Sequence, residues 1–393
     1  MEIFLSAGEA SSDLHGAKLA RAILSIAPET GISCLGGPQL RAAGVPVIVD
    51  NRNISVVGIS EVFAQARQIY AAWMKIRSHL LANRPSVVVL IDFPDFNLLL
   101  AGFAKKIGAK VFYYISPQIW AWREYRVKKI GRLVDGMAVI LPFEKDFYAS
   151  HGIDVHYVGH PLADSMKNLP DKARCDALYH PFDGPLIGLL PGSRRKEVER
   201  FLGMLMEAAR FIRNTLPHAR FLIPVASSIN ARELEARAAS WSIPVRIVTN
   251  DTYNAVRACD LILTKTGTVT LEAAMLETPM VAFYKVSRVT RFIAESLATV
   301  NFVALPNLIA NREIVPEFAR KEPTAELLAE SALTLLQNPA LLESQRRELR
   351  RVRQELDSSG ISEKVAQLVL GTARGGGETP IPGGRGGNIP PLF

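Results

Sequence analysis

Cysteine is scarce: Cys34, Cys175 and Cys259 are the only three in 393 residues, and none forms a CxxC pair. That excludes a disulfide framework and a cysteine-held zinc site, and it fits a reducing compartment. Each of the three reads as a small buried hydrophobe. Long apolar runs are missing as well. No stretch of about 18 uncharged apolar residues occurs, so no transmembrane helix is expected and any membrane contact must be peripheral. The opening MEIFLSAGEAS lacks a basic region and a long enough apolar run for a signal peptide. A clustered basic arm and a nucleic-acid reader motif are absent too, and the basic residues interleave with acidic ones, which argues against nucleic acid as partner. His15, His151 and His160 are dispersed, with no His/Asp cluster, so neither a metal nor another cofactor is expected.

What the chain has is apolar content and a positive balance. At 48% apolar and 393 residues it can bury two cores, since single cores rarely grow past ~250–300 residues. The net charge of +8 suggests an anionic partner, either a phosphorylated substrate or an anionic lipid surface.

Short apolar runs alternate with helix-length patterns, the signature of parallel α/β architecture. Strands are predicted at Glu2–Ser6, Val87–Asp92, Val111–Ile115, Gly136–Leu141 and Val155–Val158. Helices are predicted at Asp13–Ile26, Glu61–Ala82, Asn97–Ile107 and Trp120–Ile130. From Pro161 to Pro185 the rhythm gives way to Pro, Asp, Lys and Gly, as in an interdomain connection. It then restarts, with strands at Leu186–Leu190, Phe221–Val225, Arg246–Val248, Leu261–Thr264 and Met280–Phe283, and helices at Arg195–Thr215 and Ile229–Ser240. Two similar domains are therefore expected, at 1–165 and 185–345. A C-terminal helix over 346–370 follows, able to cross back to the first domain, and then a Gly/Pro-rich tail over 371–393 expected to be disordered.

Five segments carry candidate chemistry. After the first strand, SAGEASSDLHGA holds Gly8, Glu9, Ser11, Ser12, Asp13 and His15. A small turn there lets a ligand approach a helix N-terminus, though it equally reads as an ordinary turn with Ser11, Ser12 or Asp13 as N-cap. IDFPDFN ends a strand with Asp92 and Asp95 around Pro94. Such carboxylates suit general-base work on a sugar hydroxyl, and a helix N-cap is the alternative. YYISPQIWAWREYRVKKIGR sets aromatics beside Arg123, Arg126, Lys128, Lys129 and Arg132, an apolar wall with phosphate-binding cations or else a solvated helix face. LLPGSRRKEVER follows a strand with Gly192, Ser193 and Arg194 at a helix start, an anion site in which Arg195 and Lys196 can be merely solvated. KTGTVTLEAA places Thr266, Gly267 and Thr268 before a helix carrying Glu272, a carboxylate suited to paired ribose hydroxyls or to a helix's first turn.

Together with LPFEKDFY, VGHPLAD and LPNLIANREIVPE, these segments occur in the order seen in lipid-A-disaccharide synthases, and the chain resembles that family over about residues 6–318. The resemblance implies a GT-B glycosyltransferase fold: two Rossmann-like domains facing a central cleft, with C-terminal helices. It implies inverting transfer from UDP-2,3-diacylglucosamine to 2,3-diacylglucosamine 1-phosphate, giving a β(1→6) bond and UDP. It makes Asp92 the general base, with Asp95 and His15 nearby. Gly192, Ser193, Arg194, Thr266, Gly267, Thr268, Glu272, Asn307 and Arg312 fall at UDP-sugar positions. The loop Gly8, Glu9, Ser11, Ser12, Asp13 falls on the acceptor side. Position 12 departs from the family, with Ser for the usual Gly, a cost if that site needs a positive φ or close ligand approach. Peripheral association with the cytoplasmic face of the inner membrane is implied, and a homodimer is left open.

A membrane-facing surface is expected from Ser55 onward, where Val56, Val57, Ile59, Val62 and Phe63 precede Ile69, Tyr70, Trp73 and Met74, flanked by Arg67, Lys75 and Arg77. An ordinary core stripe is the alternative. Three rival functions stand beside the synthase: the transferase that builds the peptidoglycan lipid precursor, a UDP-sugar epimerase, and a non-catalytic nucleotide-sugar or lipid binder. IDFPDFN and SPQIWAWR speak against the two enzymes, and release of UDP would exclude the binder.

Overall fold

The computed structural model describes residues 1–54, 59–122, 124–226, 229–284, 301–319 and 322–375, the side chains of 53, 59–66 and 122 excepted. The chain divides into two compact units, Met1–Pro161 with the chain from Ser358, and Leu162–Asp357.

The first unit is built on β1 (Glu2–Ala7), β2 (Gly31–Gly36), β3 (Val47–Asp50), β4 (Val87–Ile91), β5 (Lys110–Tyr114), β6 (Gly136–Val139) and β7 (His156–Tyr157). They form one parallel sheet in the order β3-β2-β1-β4-β5-β6-β7. Its helices are α1 (Ala10–Ile26), α2 (Pro38–Ala42), α3 (Ile59–Asn83), α4 (Pro94–Lys106), α5 (Ile119–Trp122), α6 (Val127–Leu133) and α7 (Pro142–Ala149). β4, VVVLI, is buried throughout, as a central parallel strand covered on both faces must be. One face packs on the apolar side of α1 and on residues 361–370, and the other on α3, α4 and α6.

The second unit opens with α8 (Leu162–Met166) and α9 (Lys172–Tyr179), then repeats the plan. It has β8 (Leu186–Leu190), β9 (Arg220–Val225), β10 (Val245–Thr249), β11 (Leu261–Lys265), β12 (Met280–Phe283) and β13 (Glu317–Phe318). Its helices are α10 (Arg195–Thr215), α11 (Ala231–Ala239), α12 (Thr252–Ala258), α13 (Thr268–Met275), α14 (Leu305–Ala310), α15 (Ala325–Leu336) and α16 (Pro339–Leu356). The sheet order, β10-β9-β8-β11-β12-β13, matches that of the first six strands of the first unit, which adds β7 at its edge. In both sheets the order in which strands are added reverses beside the first strand, between β1 and β4 and between β8 and β11. Open α/β sheets bind ligands at the carboxyl ends of strands flanking such a point.

Several expectations are corrected. β2 and β3 lie inside a stretch for which no strand was predicted, because β2 contains three small residues (Gly31, Ser33 and Gly36) and β3 is only four residues long. Residues 161–185 are not a bare connection: Asp171 accepts from Arg174 N at 2.9 Å and caps α9, whose Cys175 and Tyr179 are buried. The predicted helix over Trp120–Ile130 is broken into α5, a 3₁₀ turn and α6. The single C-terminal helix is also two. α16 ends at Leu356, and α17 (Ile361–Ala373) starts after Gly360 at φ 67° and packs on α1. Residues 371–373 of the expected tail are thus helical, and 376–393 lie outside the described residues. All three cysteines are buried and unpaired.

Candidate functional site

The sharpest backbone feature of the first unit sits where β4 ends. Asp92 (φ 49°) and Phe93 (φ 48°) are both left-handed, and so is the β-branched Ile115 (φ 62°) after the neighbouring β5. Each such residue costs about 1–3 kcal/mol, and clustering of this strain points to a functional site. A buried network holds the turn. Ser6 Oγ donates to Asn97 Oδ1 (2.6 Å), and Asn97 Nδ2 donates to the Asp92 carbonyl (2.7 Å). Tyr113 Oη donates to the same carbonyl at 2.9 Å. Phe93 then lays its ring over Gly8, where an added Cβ would stand 2.3 Å from the ring. Gly8 is there for that close approach.

Asp92 opens onto a cavity of about 300 Å³ along the ends of β4, β5 and β6, together with Ile115, Ser116, Gln118, Arg126 and Glu144. Burial raises its carboxyl to about 6; Glu9 nearby adds to the shift and the Phe93 N–H opposes it. Glu144 ties the cavity wall together. One oxygen accepts from Ser116 Oγ (3.0 Å) and Trp120 Nε1 (3.2 Å), the other from Leu141 N (2.9 Å) and Ile140 N (3.2 Å). Burial pushes this carboxyl to about 7, against the pull of those donors. SPQIWAWR and LPFEKDFY, distant in sequence, are therefore two halves of one wall. Ser6, Asn97 and Glu144 were not singled out beforehand, and the only signal was their presence inside recognised motifs.

Other first-unit candidates change role. Ser11, Ser12 and Asp13 lie in the first turn of α1, with Glu9 as N-cap. Ser12 has no positive φ, so the backbone cost foreseen for replacing Gly does not arise. Asp13 is engaged within the fold: its oxygens accept from Gly37 N (2.7 Å), Gln39 N (2.8 Å) and Leu40 N (3.2 Å) at the start of α2. His15 lies within α1, edge-on to Tyr114, and burial lowers it to about 4, so it is neutral near pH 7. Asp95 is mostly exposed and takes Arg126 Nη1 at 2.7 Å. The expected membrane residues Val56, Val57, Ile59, Val62 and Phe63 lie outside the described residues or side chains. Of the stripe that follows, Trp73 packs edge-on to Phe96 and Phe103 in the core, whereas Tyr70 and Met74 are exposed. The two groups occupy different helix faces.

In the second unit, a cavity of about 780 Å³ lies at the ends of β8 and β11, and Gly192, Ser193, Arg194, Thr266, Gly267, Thr268 and Glu272 all line it. Gly192 has φ 123°, and a Cβ there would meet the Glu197 carboxylate at 2.4 Å. Glu197 accepts from Ser193 N (3.2 Å) and Arg194 N (3.3 Å) and bonds Lys265 Nζ at 2.7 Å, pinning the turn to β11. Burial would raise this acid, but Lys265 and those amides hold it below its ordinary value. Arg194 has no carboxylate in ion-pair range among the described residues, whereas Arg195 is paired to Glu199 and Glu233. Across the cavity, Gly267 (φ 149°) starts α13 with no side-chain cap. Thr266 Oγ1 is buried without a hydrogen-bond partner. Uncapped first-turn N–H groups and an orphan hydroxyl facing one cavity suit an anion. Burial raises the Glu272 carboxyl, and Tyr253 bonds it.

Asn307 and Arg312 do not join them. Asn307 is fully buried, donating to Val315 O (2.9 Å) and Glu317 (3.0 Å) and accepting from Ile314 N (2.8 Å) and Val315 N (2.9 Å). Arg312 pairs with Glu348 of α16. Asn307 braces the segment leading into β13, whereas the Arg312 side chain stays 53% exposed. Among the described residues, no group of three or more His, Cys, Asp or Glu is placed to hold a metal ion, and no helix is long and apolar enough to cross a membrane.

A profile of the lipid-A-disaccharide synthetase family matches residues 3–370. The chain belongs to that family. The synthase of Geobacter metallireducens is 42% identical over 371 residues, covering 94% of this chain and 96% of the relative. That of Nitrosococcus oceani is 38% identical over 375 residues, 95% of this chain and 96% of the relative. Among solved structures, the UDP-GlcNAc 2-epimerase of Neisseria meningitidis, bound to UDP-GlcNAc, aligns with a TM-score of 0.60 over 94% of this chain and 100% of its own. At 13% identity it speaks to architecture alone. The family's glycosyltransferase fold is GT-B, here two parallel sheets of one strand order.

Proposed function

We propose that this chain transfers the diacylglucosamine of UDP-2,3-diacylglucosamine to the 6-hydroxyl of 2,3-diacylglucosamine 1-phosphate, releasing UDP. The carrying observation is Asp92: a carboxyl with a raised pKa, held in strained backbone at a sheet's reversal point and open to a cavity of headgroup size. A base poised near neutrality is ionised at working pH yet takes a proton more readily than an ordinary carboxylate. Asp92 accepts the hydroxyl proton as that oxygen bonds to the donor's anomeric carbon. The bond from that carbon to the diphosphate breaks on the opposite side, inverting the centre. Charge left on the diphosphate falls to the α13 N-terminus, the Thr266 hydroxyl and Arg194, while Glu272 takes the ribose hydroxyls. Two acylated substrates call for contact with a membrane surface, on this reading the cytoplasmic face of the inner membrane, and exposed Tyr70 and Met74 support such a surface.

A UDP-release assay tests the reading. UDP should appear only when both acylated sugars are present. Release from UDP-GlcNAc alone would favour an epimerase or hydrolase, and no release would favour a binder.

A further inference from the structure

The cavity beside Asp92 contains a cation that this chemistry leaves unused. Of the five basic residues between Trp122 and Leu133, Lys128, Lys129 and Arg132 are exposed on α6, and Arg123 lies outside the described residues. Arg126 alone of the described four lines the cavity. Its side chain keeps about a fifth of its surface exposed and bonds Asp95, whose side chain is 71% exposed. A pair with one partner so far into water is worth ~0–1 kcal/mol, so a better-placed anion can displace Asp95.

The other charged groups lining the cavity are Asp92 and Glu144, and Glu144 has both oxygens taken by four donors. An anion entering beside Asp92 is therefore repelled unless Arg126 offsets it. At about 300 Å³ the space takes a sugar headgroup and excludes long acyl chains. The proposed acceptor carries its reactive hydroxyl on C6, outside the ring at C5, and its phosphate on C1, the two ring carbons that flank the ring oxygen. With the hydroxyl on Asp92 the phosphate stays within one sugar ring of it, inside the same cavity, where Arg126 is the cation among the described lining residues.

We propose that Arg126 is the ligand of the acceptor's phosphate monoester, its guanidinium exchanging Asp95 for two phosphate oxygens. The fork geometry suits this exchange, and a point-charge ammonium would match it only in part. The proposal rests on the function above and adds a specificity determinant to it.

The test measures UDP release by the full chain with two acceptors, 2,3-diacylglucosamine 1-phosphate and the same lipid without the phosphate. The wild type should prefer the phosphorylated acceptor at least tenfold in kcat/KM. Arg126→Gln should raise KM for that acceptor tenfold or more, with the loss confined to it, so that the preference collapses. Arg126→Lys should recover part of it, and Asp95→Asn should lower that KM. UDP affinity, measured separately, checks that each variant is folded. If Arg126→Gln slows both acceptors equally, or leaves the preference intact, the phosphate assignment is overturned while the function stands. A wild-type chain that releases UDP with neither acceptor overturns the function, and this assignment with it.

Discussion

Asp92→Asn should sharply reduce turnover and yet make the protein more stable, by an amount that depends on pH. The folded carboxyl sits near 6 against an ordinary 3.8. Each unit of such a shift is worth about 1.4 kcal/mol. A raised carboxyl pKa means the native state holds its proton more tightly than the unfolded chain. Ionisation therefore weakens the fold as pH rises from about 4 through 6. Fully expressed, the penalty would reach roughly 3 kcal/mol, and solvent reaching the half-buried side chain trims it to about 2. The amide carries no charge to desolvate, and asparagine is among the side chains that best tolerate left-handed backbone. Urea unfolding at pH 8 should show Asp92→Asn more stable by about 2 kcal/mol. The gain should roughly halve at pH 5 and vanish below 4, while turnover falls by about 10²–10⁴. A variant less stable than wild type at pH 8, or a gain indifferent to pH, would refute both the burial argument and Asp92 as a tuned base.

Asn97→Ala removes the clamp on the Asp92 carbonyl and orphans Ser6 Oγ. It should cost about 3 kcal/mol in urea unfolding and lower kcat about 10²-fold, with UDP affinity intact. Thr266→Val discards a buried hydroxyl with no partner. The ligand-free protein should gain about 1 kcal/mol while UDP binding by calorimetry weakens about 5–10-fold. Loss of both stability and affinity would contradict an orphan hydroxyl reserved for ligand. Asn307→Ala breaks four hydrogen bonds, three of them fully buried, so stability should drop by about 3 kcal/mol, with the folded fraction binding UDP within about twofold of wild type. A tenfold loss of affinity would return Asn307 to the nucleotide site.

What the sequence determined by itself was whatever a local pattern enforces. VVVLI and LIGLL must be central strands because each is an apolar run bounded by breakers, and the repeated alternation required two parallel sheets. The Gly-containing turns after β8 and β11 were legible because a strand–turn–helix junction is read within a dozen residues. Tertiary structure alone decided which polar side chains remain available to a ligand. Asp13 and Arg312 carry the same chemistry as Asp92 and Arg194, and Asn307 is as polar, yet they engage the N-terminus of α2, Glu348 and the segment before β13. Their partners lie 24 or more residues away for Asp13, 7 to 10 for Asn307 and 36 for Arg312. A carboxylate that accepts three backbone N–H groups is spent, and one left half-buried beside a cavity with a raised pKa is not. That difference lies in desolvation and hydrogen-bond partners, which only the folded chain assigns.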